Sequence, residues 1–152
     1  MKPKKGQSVE ISVDSLVFGG DGIGQMDGFK IFVEGAAPDD KVEARITKVR
    51  SKYGEAKVLK VLQPSPQRIQ PRCKHFGICG GCKWQFLDYA DQCTVKEQQV
   101  KDAVTRIGGL SADLVKPIVA NESPWYYRNK MELSFGHTAE PNLSSTSEGE
   151  PM

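Results

Sequence analysis

Three of the four cysteines fall within ten positions, in the run Cys73-Lys-His-Phe-Gly-Ile-Cys79-Gly-Gly-Cys82. Gaps of five and two residues let one loop curl three thiolates around a single metal centre, with Gly77, Gly80 and Gly81 permitting the tight turns. A cubane 4Fe-4S cluster needs four thiolates, three of them often from one compact loop, and Cys73, Cys79 and Cys82 supply three. The fourth cysteine, Cys93, lies on the apolar face of an expected helix and reads as a buried structural thiol. Zinc is the competing metal, through Cys73, His75, Cys79 and Cys82. His75 follows Cys73 by only two residues, a short bite for tetrahedral coordination, and otherwise reads as a polar loop residue or a phosphate contact.

The elements around this loop show what must position it. Val9, Ile11 and Val13 alternate with polar residues, a half-buried strand running towards Phe18. Gly19 to Gly24 holds four glycines, but without the Lys-Ser/Thr of a phosphate loop or a following helix it reads as a turn. Asp27-Gly28 marks a tight hairpin before the strand Phe29 to Val33. Gly35 to Asp40 is a loop, Val42, Ala44 and Ile46 alternate again, and Ala56 to Leu62 makes the last strand before Pro64-Ser-Pro66. Short, closely spaced strands with glycine-rich corners predict a small antiparallel barrel of the oligonucleotide-binding (OB) type. Asp88 to Ile107 predicts a helix, capped by Asp88, with Tyr89, Cys93, Val100, Val104 and Ile107 on one face and Gly108-Gly109 at its end. Pro117 to Val119 and Met131 to Phe135 read as further strands, and His137 to Met152 as a disordered tail.

The fold class is therefore mainly β with one long helix. An OB-like barrel over 1–63 is followed by a Cys-rich loop over 64–87. A helix and the first strands of a second α+β region span 88–136, and a tail covers 137–152. Apolar residues make up 38% of the 152 residues, which suits two modest cores better than one large one. No apolar run approaches the ~20 residues a bilayer helix needs, and the basic start lacks the apolar stretch of a signal peptide. A cytoplasmic location follows, where free thiols or metal ligation are expected rather than disulfides.

The net charge of +2 conceals a strong division. Lys41 to Lys83 carries eleven basic residues against two acids, Glu43 and Glu55, a surplus of nine that leaves the rest of the chain seven charges negative. Such a split gives either a solvated basic face or the electrostatic footprint of a polyanion-binding surface. The candidate RNA-binding residues are Arg45, Lys48, Arg50 and Lys52, with Arg128 and Lys130 in the segment Trp125-Tyr-Tyr-Arg-Asn-Lys130. Phe76, Trp84, Phe86 and Tyr89 beside the thiols either stack on unpaired bases or wall a metal from water, with packing favoured for Trp84 and Phe86.

The order of barrel, Arg72-Cys73, Cys79-Gly-Gly-Cys82-Lys-Trp-Gln85, helix and Tyr127-Arg-Asn-Lys-Met-Glu132 closely resembles the N-terminal part of bacterial RNA 5-methyluridine methyltransferases, over residues 8 to about 136. The resemblance implies that the barrel is a TRAM domain, an RNA-binding module. It also implies that the metal is a 4Fe-4S cluster whose fourth cysteine lies downstream, and that the partner is RNA, 23S ribosomal RNA first and transfer RNA second. In that family a cysteine thiolate adds to C6 of uracil and C5 then takes a methyl group from S-adenosylmethionine. No catalytic cysteine and no cofactor-binding unit can be mapped onto these 152 residues. The expectation is thus an N-terminal fragment, monomeric and inactive alone. The alternative is a stand-alone TRAM-type RNA-binding module with zinc or an incomplete metal site and no catalysis.

Overall fold

The computed structural model describes residues 2–130 and residue 132. Two compact units divide the chain, Met1–Ala120 and Asn121–Met152. Among the described residues the regular structure lies in the first: β1 (Ser8–Leu16), β2 (Gly22–Met26), β3 (Phe29–Glu34), β4 (Lys41–Val49), β5 (Tyr53–Gln63), α1 (Tyr89–Arg106) and a 3-10 turn at Ala112–Leu114.

The strands close into a barrel in the order β1-β2-β3-β5-β4. Alternation decides which side chains face inward. Val9, Ile11 and Val13 from β1, Ile31 and Val33 from β3, and Val42, Ala44 and Ile46 from β4 form one buried core. Closure is not wholly antiparallel as expected, because β3 and β5 pair in parallel, from Lys30 opposite Tyr53 to Glu34 opposite Lys57. The β4 hairpin returns β5 beside β3, so the one parallel pair is a consequence of the closing step and removes both sheet edges.

The glycine run also differs from its reading as a turn. The turn occupies Val17 to Asp21, and Gly22 already belongs to β2. A methyl group on Gly24 would land on the Ser12 carbonyl oxygen and 2.6 Å from Ile11 Cγ2. Glycine is therefore required where β2 crosses β1 closely, near the irregularity between Val13 and Ser15. The Asp27-Gly28 hairpin is as expected, with positive φ at both residues (49° and 77°), the type I′ geometry that matches strand twist. The last strand starts before its expected Ala56: Arg50 N–H bonds to the Tyr53 carbonyl at 2.8 Å, and β5 begins at Tyr53.

Helix α1 matches its predicted limits. Asp88 caps it by accepting from the Ala90 N–H at 2.9 Å, and Ile107 ends it. Cys93 is buried on it, but Val100 and Ile107 from the same expected face are exposed. No strand forms at Pro117 to Val119, where the Ile118 N–H instead donates to the Glu97 side chain of α1 at 2.9 Å. Of the expected strand Met131 to Phe135, all but Glu132 lies outside the described residues, as does the tail 137–152. Among the described residues no helix is long and apolar enough to cross a membrane.

Candidate nucleic-acid interface and cysteine loop

Two pins hold the cysteine loop on the barrel. The first begins at Asp40, whose side chain is fully buried at the end of the β3–β4 loop. One carboxylate oxygen accepts from the Ala37 N–H at 2.6 Å, the other from the Ser65 N–H at 2.8 Å. Arg68 donates to both, from Nη2 at 2.6 Å and Nε at 3.2 Å. The same guanidinium reaches the Gly35 carbonyl and stacks 4.6 Å from the Phe86 ring centre. Arg68 pairs with Leu87, and the Ile69 N–H bonds to the Phe86 carbonyl at 2.8 Å, which closes the base of the loop. Phe86 and Leu87 then bury against Leu16 and Ala37 of the barrel, a second small core.

The second pin is Trp84. Its indole N–H donates to the Gly20 carbonyl at 2.9 Å, which ties the far side of the loop to the β1–β2 turn. Lys83 lies 3.9 Å from Asp21 in that turn. Burial raises the Asp21 carboxyl above its ordinary value; Lys83 opposes the shift, and Glu34 and Glu55 add to it. Between turn and loop is a cleft of about 310 Å³ whose wall includes Gly20, Asp21, Lys57, Ile78, Cys79 and Lys83.

Cys73, Cys79 and Cys82 all sit on this anchored loop, exposed and free. The Cys73 N–H bonds to the Gln85 side chain at 3.1 Å, and the Cys79 sulfur accepts from the Gly81 N–H at 3.4 Å. By donor type, three accessible thiols suit a soft metal or an iron-sulfur centre. Among the described residues no three His, Cys, Asp or Glu side chains are grouped to hold a metal ion. His75 is exposed, and its backbone carbonyl accepts from the Ile78 and Cys79 N–H groups. Phe86 is buried, in line with the packing favoured for it, and Phe76 packs on it edge-to-face at 5.8 Å.

The basic residues divide between the two units. Arg45 and Lys48 are exposed on β4, and Arg50 and Lys52 follow in the turn into β5, so one continuous stretch presents all four. Arg45 lies directly opposite Lys57, a like-charge pair that costs stability unless an anion is near. Lys48 is shared with Glu55 at 3.3 Å. Arg128 and Lys130 are exposed in the second unit, where Lys130 pairs with Glu132 at 2.9 Å. No local pattern signals the Asp40–Arg68 pair, which joins residues 28 positions apart. Phe18, read as the continuation of a strand, instead stands 92% exposed in the turn; the Gly19-Gly20 that follows it was the available signal.

An OB-type barrel carrying a basic strand pair is the architecture of an oligonucleotide-binding module. Residues 2–59 match the TRAM domain family. An uncharacterized RNA methyltransferase of Thermosynechococcus vestitus is 42% identical over 133 residues, 88% of this chain and 30% of that protein. A second, from Gloeobacter violaceus, is 40% identical over 136 residues, 89% of this chain and 30% of that protein. The crystal structure of a tRNA (uracil-54, C5)-methyltransferase of Pyrococcus abyssi aligns with 67% of this chain and 22% of that one, at 27% identity and a TM-score of 0.42. The chain thus carries a TRAM domain and is a relative of proteins named RNA methyltransferases, and it spans about a third of the length of the curated relatives it matches.

Proposed function

We propose that this chain is the RNA-binding and metal-holding part of an S-adenosylmethionine-dependent methyltransferase that forms 5-methyluridine in 23S ribosomal RNA, acting in the cytoplasm as a monomer. The observation that carries the reading is the cysteine loop pinned by Arg68 and Trp84 onto a basic TRAM barrel, within a stretch about 40% identical to RNA methyltransferases. Arg45, Lys48, Arg50 and Lys52 meet the phosphates of the RNA, with Arg128 and Lys130 as further contacts. Cys73, Cys79 and Cys82 would hold a 4Fe-4S cluster, completed by one ligand beyond these three. S-adenosylmethionine supplies the methyl group. Among the described residues no strand leads through a glycine-rich turn into a helix, so no step through that cofactor is assigned to this chain.

The test has two parts. In competition, fragments of 23S ribosomal RNA should displace labelled RNA from the protein at lower concentration than transfer RNA does. The reverse order would move the substrate class to transfer RNA. Anaerobic expression should give a brown protein with broad absorption near ~400 nm, lost when Cys79 is replaced by serine. Stoichiometric zinc without iron would overturn the cluster.

A further inference from the structure

Phe18 is the most conspicuous unexplained residue of the barrel. Its neighbour Leu16 enters the second core, whereas the Phe18 ring is 92% exposed. The turn that carries it is nevertheless well tied. Val17 N–H bonds to the Asp21 carbonyl at 2.9 Å, Gly20 N–H to the Val17 carbonyl at 3.1 Å, and Trp84 holds the Gly20 carbonyl. Gly19 and Gly20 take φ of 100° and 101°, a conformation other residues rarely adopt. A methyl group on Gly20 would come within 2.8 Å of the Trp84 indole nitrogen. The backbone is thus fixed so that the ring projects into solvent.

We propose that Phe18 is a stacking platform for an unpaired RNA base. The β1–β2 loop of OB-type barrels is one of the two loops that grip oligonucleotides, and an aromatic face offers stacking to any base. Lys57 and Lys83 line the adjoining cleft, which begins two residues further along the same turn, and can meet the backbone phosphates of the same strand. Stacking tolerates the carboxylates of Asp21 and Glu34 in that cleft, because a base is neutral. Arg68 and Trp84 acquire a role through this geometry: they hold the cysteine loop and the Phe18 turn as one surface.

The inference rests on the RNA-binding reading, and the experiment separates the two. Affinity of the whole chain for a single-stranded oligouridylate of about ten nucleotides is measured by fluorescence anisotropy, an oligomer length within the span of one OB-type barrel. Phe18→Ala should weaken binding about 5- to 150-fold, the loss typical of one stacked base. Phe18→Leu should lose as much, and Phe18→Trp should retain affinity with its emission quenched. An oligomer of abasic residues should bind the parent and Phe18→Ala alike, with the salt dependence unchanged by the substitution. Parent affinity in Phe18→Ala, or an equal loss on the abasic oligomer, overturns the stacking role while leaving the RNA reading intact. Failure of the parent chain to bind the oligouridylate removes both.

Discussion

Replacing Asp40 with asparagine removes one negative charge and changes almost no volume, so its effect isolates the electrostatics of the pin. Each carboxylate oxygen accepts two hydrogen bonds: Ala37 N–H and Arg68 Nη2 on one, Ser65 N–H and Arg68 Nε on the other. An amide presents NH2 on one side whichever way it turns, so two donors then face a donor. A buried donor left without an acceptor costs about 1–3 kcal/mol, and breaking a buried ion pair from one side costs about 3–5 kcal/mol. Arg68 retains 20% exposure of its side chain, so water recovers part of that loss. The lower end, about 3 kcal/mol, is the expected cost, a large share of the roughly 5–15 kcal/mol that holds a domain of this size folded.

Urea denaturation followed by tryptophan emission, in a Trp125→Phe background so that Trp84 alone reports, measures this cost. A slope of about 1–3 kcal/mol per molar urea turns it into a midpoint lowered by about 1–3 M. Arg68→Met should cost a similar amount, since it strands the carboxylate instead. The double substitution should cost less than the sum by at least about 0.5 kcal/mol, because the second change removes a partner already stranded. Additive losses, or an Asp40→Asn midpoint indistinguishable from the parent, would refute the view that this pair pins the loop base to the barrel.

Other consequences concern the barrel wall and the turn. Gly24→Ala should destabilise by about 1–3 kcal/mol or more, since its methyl meets the Ser12 backbone, whereas Gly22→Ala presses mainly on the Val13 side chain and should cost less; thermal melts compare the two. Asp21, whose carboxyl is raised above its ordinary 3.8 by burial, binds a proton in the folded state at pH values where the unfolded chain has released it. Its contribution to stability is full below pH 3.8 and is lost as pH rises through the raised folded value. Asp21→Asn should therefore raise the melting temperature at pH 7 and leave it unchanged near pH 3; a gain of equal size at both pH values would contradict burial as the cause.

The barrel was legible because its core obeys a period of two: Val9, Ile11, Val13 and Val42, Ala44, Ile46 alternate in sequence and all are buried. The helix was legible through Asp88 and the glycines after Ile107, both local signals. The parallel β3–β5 pairing was not, because strand order depends on closure and not on any local residue type. Gly22 and Gly24 looked like turn residues for the same reason, as their need for close approach comes from β1 across the sheet. At the site, the four basic positions on β4 and its turn were legible as charge, and Cys73, Cys79 and Cys82 as spacing. Asp40 and Arg68 were hidden, since their pairing joins residues far apart in the chain, whereas the exposure of Phe18 had a local signal in the Gly19-Gly20 that follows it.

If the basic TRAM surface binds RNA, titrating the chain with single-stranded RNA at a series of salt concentrations will show it. Binding should weaken linearly on a logarithmic plot. Replacing Lys48, Arg50 and Lys52 together by alanine should lower affinity and reduce the slope by about 2, from ~0.7 per lost phosphate contact on a single strand. Binding by the triple variant with unchanged affinity and slope, or no binding by the parent at low salt, would mean that this surface is not an RNA-binding one.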